Sequence, residues 1–109
     1  MAGLVPAIHV FQYRAMAAYV YFLSNRPNGI FYVGVTTYLV RRIYEHRTGA
    51  VAGFFKRYGL NRLVFFEVFD DVRDAIQREK TIKHWSRAWK VRKIVVHNPT
   101  WDDLYATIL

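Results

Sequence analysis

The sequence predicts an α+β fold in which helices flank a three-stranded antiparallel sheet, in the order β-β-α-β-α-α. Three observations support this prediction. Two β-branched and aromatic runs flank a short turn-forming segment, and a third such run follows later in the chain. The segments after the second and third runs have the periodicity and boundary residues of helices. No internal repeat or linker divides the sequence.

The first two strands are predicted to form a hairpin. They cover residues 18–23 and 30–35, and the loop between them closes on Asn28-Gly29, which is a strong short-range hairpin signal. The third strand is predicted at residues 62–69, where β-branched and aromatic residues again predominate. Because side chains alternate along a strand, tyrosines on the paired strands can project to a common face.

Three helices are predicted from their caps and breaks. A threonine at position 36 or 37 can cap the first helix, and Gly49 can end it near residue 48. An aspartate at position 70 or 71 can cap the second helix, which continues to about residue 85. The third helix covers residues 88–97 and is broken before Pro99, after which residues 100–103 form a short turn.

The 109 residues are expected to contain one domain, residues 16–109, preceded by an N-terminal extension at residues 1–15. The extension contains an apolar run, but this run is short and is not preceded by lysine or arginine. The extension therefore fits neither a secretory signal nor a membrane span. Residues 50–60 are predicted to be irregular, with a short helical turn at residues 54–56.

Composition narrows the classes of function. With 53% hydrophobic and 17% aromatic residues, the chain is too apolar to be disordered. The absence of cysteine excludes disulfides, thiolate zinc sites and cysteine catalysis, and it fits a cytoplasmic protein. A formal net charge of +8 favours a polyanionic partner, either nucleic acid or an acidic membrane surface, over an inert basic surface.

Glu79 provides the strongest indication of chemistry in the sequence itself. It falls on the predicted apolar face of the second helix, where an unpaired carboxylate would be costly, so a cation must neutralise it. Two interpretations are open: a structural ion pair with an arginine such as Arg42, or a metal ligand at the edge of the core. The other residues of this face are Val72, Ala75, Ile76 and Ile82.

A basic segment surrounds Glu79. Seven lysines and arginines lie between residues 78 and 93, a density that favours binding to a phosphate backbone over a merely solvated face. Trp85 and Trp89, in the same segment, are expected to be core residues rather than base-stacking platforms. The seven cations are Arg78, Lys80, Lys83, Arg87, Lys90, Arg92 and Lys93.

Arg42 and His46 lie four residues apart on the first predicted helix, beside a stripe formed by Leu39 and Ile43. Taken alone, His46 is expected to be a surface or capping histidine, because this is where most such residues lie. Its significance depends on the motifs around it.

The ordered set of motifs resembles the GIY-YIG nuclease family, which includes the N-terminal nuclease domain of the excinuclease C subunit. Residues 19–21 (YVY) and 32–34 (YVG) resemble the two halves of the family signature, although the first half lacks the glycine. Residues 41–46 (RRIYEH) resemble the family's arginine-rich helix, and residues 78–80 (REK) the stretch with its acidic metal ligand. Residues 98–104 resemble the closing motif of the small, single-domain bacterial branch.

This resemblance, which covers residues 17–105, implies a metal-dependent endonuclease. It would hydrolyse phosphodiester bonds, with DNA favoured over RNA, and would leave a 5′-phosphate and a 3′-hydroxyl. Tyr32 is expected to be the base, or part of the base, that activates water, and His46 to relay the proton. Tyr21 would orient the water or a phosphate oxygen, and Arg42 would bind the equatorial phosphate oxygens.

One Mg²⁺ or Mn²⁺ ion is expected on Glu79, because a single carboxylate plus water suits an ion that keeps much of its hydration shell. Asn98 is expected to assist near the metal or the leaving group. The alternative is a non-catalytic nucleic-acid-binding module that retains the fold. No membrane partner is expected, and a homodimer or a partner protein could supply specificity. The expected nucleic-acid contacts are Arg41, Arg78, Lys80, Lys83, Arg87 and Lys90.

Overall fold

The computed structural model describes residues 17–49 and 57–109. These residues form a three-stranded antiparallel sheet of order β2-β1-β3 with helices packed on it, which confirms the predicted fold class. A short C-terminal helix is added to the predicted order. The elements are β1 (Ala18–Ser24), β2 (Phe31–Thr36), α1 (Leu39–Thr48), β3 (Arg62–Phe69), α2 (Val72–Lys83), α3 (Arg87–His97) and α4 (Tyr105–Ile108).

Two predictions fall outside the described residues: the N-terminal extension and the helical turn at residues 54–56. The hairpin is confirmed. Its loop is closed by the Gly29 N–H, which donates to the Arg26 carbonyl at 3.0 Å. Pro27 at the second position and Asn28 with φ 54° at the third match a type II turn, which needs a residue that tolerates positive φ.

Helix α1 begins later than predicted. Thr36 is the last residue of β2, and its hydroxyl accepts the N–H of Tyr38 at 3.1 Å, which forms a turn before the helix rather than a cap on it. The other boundary signals are confirmed: Gly49 ends α1 with φ 75°, and Asp71 caps α2 by accepting the Arg73 N–H at 2.8 Å.

The central strand β1 sends alternate side chains to two separate cores. Ala18, Val20 and Phe22 are completely buried against Ile82 of α2 and Ile94 of α3. This apolar core occupies the face of the sheet that α2 and α3 cover, and it is called the α2/α3 face below.

The intervening residues of β1 form the opposite face. Tyr21 and Leu23 are buried there with Leu39 and Ile43 of α1 and with Leu63 of β3. This second face is called the α1 face below.

Two predictions about the apolar face of α2 are wrong. Ala75 and Ile82 are buried, but Val72 is 40% exposed and Ile76 is 38% exposed. They are exposed because they project past the edge of the sheet, into a groove lined by Val35 of β2 and by residues of α1.

The expected burial of Trp89 is also wrong, because this side chain is 65% exposed. Helix α3 contributes Ile94 to the core, and its Trp89 side faces solvent. Trp85, by contrast, is half-buried and packs against the core.

Candidate active site

Two tyrosines from neighbouring strands meet on the α1 face. In the β1–β2 register Tyr21 pairs with Gly34 and Leu23 pairs with Tyr32, so both phenol rings project to the same side, 6.3 Å apart between centroids. Gly34 makes this possible. A Cβ atom at position 34 would lie 2.7 Å from the Tyr21 hydroxyl and 2.8 Å from the Tyr32 ring, so a larger residue would collide with both.

His46 lies next to Tyr21 rather than on the surface. It is 5% exposed, and its Nε2 is 3.5 Å from the Tyr21 hydroxyl. The expectation of a surface or capping histidine is therefore wrong. Leu39, Ile43 and His46 are spaced by four and three residues, which places all three on the helical stripe that faces the sheet.

The environment fixes the protonation of this pair. Burial, assisted by the nearby Tyr32, raises the pKa of Tyr21 to about 12, so its hydroxyl stays protonated at neutral pH. Burial and then the positive charge of Arg42 lower the pKa of His46, which favours the neutral imidazole. We therefore assign Tyr21 as the donor and Nε2 of His46 as the acceptor of this long hydrogen bond.

Arg42 connects the buried tyrosine to solvent. Its side chain is 45% exposed, and its Nε lies 3.5 Å from Oε1 of Glu45. The guanidinium also interacts with Tyr21 as a charge and as a hydrogen-bond donor, and both effects lower the pKa of that tyrosine against the larger effect of burial. Arg42 therefore lies at the mouth of the tyrosine cluster, where part of its fork can bind an anion.

Glu79 reaches the same cluster from α2. Its side chain is 13% exposed and forms an ion pair with the Lys83 ammonium at 2.8 Å. The ion-pair partner suggested from sequence, Arg42, is thus replaced by a lysine one helical turn away. The Lys83 ammonium also lies 5.7 Å from the centroid of the Tyr32 ring, and the charge of Glu79 acts on Tyr21.

A divalent ion would have to be held largely by water. Within residues 17–49 and 57–109 there is no group of three or more His, Asp or Glu side chains that could hold a metal ion. Glu79 provides one shielded carboxylate beside the tyrosines. This donor set fits a hydrated Mg²⁺ or Mn²⁺ ion that completes its shell with water and phosphate oxygens, and it does not fit an all-protein cage.

Asn98 is held in a different environment from the other five predicted catalytic residues. Its amide nitrogen donates to the carbonyls of Val64 and Asp102, both at 2.9 Å, and its amide oxygen accepts the Asp102 N–H at 3.0 Å. Both amide protons are therefore already used, and the residue joins the C-terminal segment to β3. No hydrogen bond or ion pair recorded for the described residues links it to Glu79 or to the tyrosines.

The basic segment is less one-sided than its sequence suggests, because reasoning from sequence missed Glu67 on β3. Arg78 forms a two-pronged ion pair with Glu67, at 2.9 and 3.1 Å, and Lys93 approaches the same carboxylate at 3.6 Å. Burial opposes these partners, but together they hold the pKa of Glu67 below its ordinary value. Glu67 faces these cations because it lies opposite the buried Val20 in the sheet register, which the sequence alone does not give.

Other predicted nucleic-acid contacts have structural partners as well. Arg87 donates to the carbonyls of Asn28 and Gly29 in the hairpin loop, and Lys90 reaches the Lys83 carbonyl at 3.5 Å. Arg41 is largely open, with 74% of its side chain exposed and a 3.9 Å contact to a glutamate. Lys80 is also exposed.

The antiparallel sheet and the helices on it thus bring two tyrosines together with an arginine, a histidine and a glutamate. The sequence model of the GIY-YIG catalytic domain matches residues 17–93. A UPF0213 protein of Clostridium perfringens is 37% identical over 76 residues, which are 70% of this chain and 81% of the relative. A UPF0213 protein of Halalkalibacterium halodurans is 37% identical over 88 residues, which are 81% of this chain and 93% of the relative.

The solution structure of this last relative, whose source is named there as Bacillus halodurans, superposes with a TM-score of 0.52 at 32% identity, over 81% of this chain and 93% of that one. The chain belongs to the GIY-YIG family, as its motifs predict. Among the residues that the structure describes, no helix is both long and apolar enough to cross a membrane.

Proposed function

We propose that this chain is a divalent-metal-dependent endonuclease that hydrolyses phosphodiester bonds of nucleic acid, with DNA as the favoured substrate. The observation that carries the proposal is the convergence of Tyr21, Tyr32, Arg42, His46 and Glu79, which come from two strands and two helices. Packing alone does not require such a combination of phenol, guanidinium, imidazole and carboxylate groups, whereas phosphoryl transfer uses each of them.

In this proposal Arg42 binds the non-bridging phosphate oxygens and stabilises the charge that develops on them. Tyr21 stays protonated, as its raised pKa requires, and its one proton is donated to His46, so its hydroxyl oxygen accepts a hydrogen bond from the attacking water and orients it. His46, neutral because its pKa is lowered, can accept a proton through Tyr21. The pair thus orients and passes on a proton rather than initiating the attack.

Tyr32 takes the proton of the attacking water as its own phenol proton passes to bulk water, with the Lys83 ammonium facing its ring. The water oxygen bonds to phosphorus as the bond between phosphorus and the 3′-oxygen breaks. The leaving oxygen takes a proton from solvent, which gives a 5′-phosphate and a 3′-hydroxyl. Glu79 would hold one Mg²⁺ or Mn²⁺ ion, whose chemistry when bound is to polarise the phosphate and stabilise the leaving oxygen. With a metal ion on Glu79, Lys83 would be released from its ion pair with that carboxylate and could bind a phosphate instead.

The nucleic-acid contacts proposed from sequence differ in how free they are. Arg41 and Lys80 are exposed and can bind phosphates directly, and Lys83 can do so once it leaves Glu79. Arg78, Arg87 and Lys90 would have to share their present partners, so we assign them supporting contacts. A second copy of the chain or a partner protein remains our proposed source of specificity.

The test is a cleavage assay on supercoiled plasmid, single-stranded DNA and branched DNA, with Mg²⁺ or Mn²⁺ and with a chelator. Glu79→Gln and Arg42→Ala should each lower the cleavage rate by on the order of 100-fold, because each removes charge stabilisation from the transition state. Chelation should abolish cleavage by the unaltered protein.

Glu67→Gln is the matched control. Glu67 is a partly buried, ion-paired carboxylate like Glu79, with 19% of its side chain exposed, but it lies away from the tyrosines. It should lose stability and keep its cleavage rate at a temperature where it is folded. Equal losses in the two glutamine variants would contradict the assignment of Glu79.

The Lys83–Glu79 ion pair favours one alternative, a non-catalytic nucleic-acid-binding module, because it leaves the carboxylate already neutralised. Salt-sensitive binding of DNA without cleavage under any metal condition would support that alternative and contradict the endonuclease.

A further inference from the structure

An exposed aromatic surface on α3 lies outside the proposed catalytic cluster. Trp85, Trp89, Arg92, Lys93, Val96 and His97 line a shallow depression of about 440 Å³, which we call the tryptophan patch. Trp89 is 65% exposed and Val96 is 68% exposed, although both are large apolar side chains. A contiguous exposed apolar surface of this kind commonly marks a binding site.

The two indoles are arranged as a supported pair. Trp85 packs against the core and lies 5.1 Å beneath the guanidinium carbon of Arg78, which fixes its position. Trp89 stands against it edge to face, with ring centroids 6.1 Å apart and an interplanar angle of 68°. The outer indole is thus held by the inner one and is still accessible to a planar ligand.

The charge around the patch selects an anionic occupant. Helix α3 contains four lysines and arginines and no acidic residue. Glu67 engages Lys93 from the sheet, but Arg92 is exposed and has no ion-pair partner among residues 17–49 and 57–109. A second copy of this chain docked on the same face would bring like charges together, which opposes association.

We infer that the tryptophan patch binds an unpaired nucleotide, with a base stacked on Trp89 and its phosphate on Arg92. Stacking on an aromatic side chain requires the face of a base, which a duplex hides within its own stack. The occupant is therefore a single-stranded segment of nucleic acid rather than a continuous duplex.

This inference deepens the proposed function by naming a substrate class, and it rests on that function only for the identity of the ligand. Trp85 follows Lys83, the ion-pair partner of Glu79, by two residues. A strand bound at the patch would therefore lie beside the C-terminal end of α2. The preferred substrate would then carry an unpaired segment, as a flap, a branch or a single strand does.

The test measures binding by fluorescence anisotropy in the presence of a chelator, so that no cleavage is needed. The probes are a labelled oligothymidylate and a labelled duplex of the same length. Trp89→Ala should weaken binding of the single strand by about fivefold or more, the factor that corresponds to the lower end of base–aromatic stacking. Binding of the duplex should not change, and Trp89→Phe should keep most of the single-strand affinity.

Tyr44→Ala is the matched control, because Tyr44 is a similarly exposed aromatic residue, 58% accessible, on α1. It should bind both probes as the unaltered protein does. An equal loss on both probes in Trp89→Ala, or no loss on either, would overturn the inference. So would a dimer, detected by light scattering, that dissociates in Trp89→Ala while DNA binding is unchanged.

The two proposals can fail separately. A protein that never cleaves but shows the Trp89-dependent preference for single strands would contradict the endonuclease and retain the patch. A protein that cleaves normally without this preference would do the reverse.

Discussion

The two faces of the sheet share one central strand but are built differently. On the α2/α3 face, β1 contributes Ala18, Val20 and Phe22 to a core of apolar side chains. On the α1 face, the alternate residue Tyr21 is equally buried, at 1% exposure, yet it carries a hydroxyl that contacts the imidazole of His46. Neighbouring residues of one strand thus enter an apolar core on one face and a core that also contains buried polar groups on the other.

The difference between the two faces indicates which face mainly stabilises the fold and which face carries groups suited to chemistry. Burying apolar area stabilises the fold in proportion to the area, so the α2/α3 face acts as the platform. Burying a hydroxyl and an imidazole gains much less, because both groups lose their hydration. A face that retains buried polar groups next to an exposed arginine is better explained by function than by packing.

The largest expected effect separates the two faces directly. Phe22→Ala should lower the free energy of unfolding by roughly 3–5 kcal/mol, because it leaves a cavity in the apolar core. Tyr21→Phe, one residue away, should cost roughly 1 kcal/mol, because it removes only the hydroxyl that interacts with His46 and Arg42 and leaves no large cavity. Chemical denaturation of both variants measures the contrast, and the cleavage assay should show the reverse order of damage per folded molecule.

Equal destabilisation by the two substitutions would break the comparison, since it would mean that Tyr21 is chiefly a packing residue. Leu23→Ala is a useful control, because Leu23 lies on the α1 face with Tyr21 but is apolar. It should destabilise as Phe22→Ala does.

The second prediction concerns Asn98, whose carbonyl accepts the N–H of Trp101 at 3.0 Å and whose amide side chain binds Val64 and Asp102. Trp101 has φ 57°, so this local network holds an unfavourable backbone conformation. Asn98→Ala should therefore cost roughly 2–3 kcal/mol by leaving buried groups unpaired. Folded Asn98→Ala should cleave at close to the normal rate; a large loss of rate at full stability would restore Asn98 to the catalytic set.

Most of the fold could be predicted because its signals are local. The Asn28-Gly29 turn, the Gly49 stop and the Asp71 cap each act through their own backbone, so the sequence pattern is enough to locate them. The prediction that Val72 and Ile76 of α2 are buried was wrong, because periodicity identifies a face of the helix but does not say how much of that face the sheet covers.

The candidate site was harder to predict because it depends on contacts between distant elements. Periodicity predicted that Glu79 lies on the inner side of its helix. It did not predict that Lys83 rather than Arg42 would be its ion-pair partner. The burial of His46 depends on the strand that α1 faces, and the counter-charge of Glu67 depends on the helices that pack on its side of the sheet. No single-residue tendency carries that information, so their roles require the register of the sheet.

The third prediction tests the spacing of the two tyrosines on the α1 face. Gly34→Ala would place a methyl group 2.7 Å from the Tyr21 hydroxyl and 2.8 Å from the Tyr32 ring. Tyr21 is enclosed, so the strain should cost roughly 1–3 kcal/mol and displace the more exposed Tyr32. The cleavage rate should fall by about tenfold or more, since catalytic groups tolerate little misplacement. Gly59→Ala is the control for cleavage: its φ of 64° makes the substitution costly for the backbone, but the added methyl group lies in open space and contacts neither tyrosine, so the folded variant should keep its cleavage rate.

The smallest effect is a difference between the faces in alkaline stability. The folded-state pKa of Tyr21, about 12, lies above its ordinary value of 10.0, so the stability linked to its protonation is complete below pH 10 and is lost as the pH rises toward 12. Between pH 8 and pH 11 this linkage should remove roughly 1 kcal/mol from the unmodified protein. Tyr21→Phe lacks the ionisable group, so its denaturation midpoint should fall less over the same interval. Val64→Ala changes only the α2/α3 face, so its denaturation midpoint should fall in parallel with that of the unmodified protein. Parallel curves for the unmodified protein and Tyr21→Phe would show that the Tyr21 hydroxyl is hydrated in the folded state, which would contradict its assignment as the buried, protonated partner of His46.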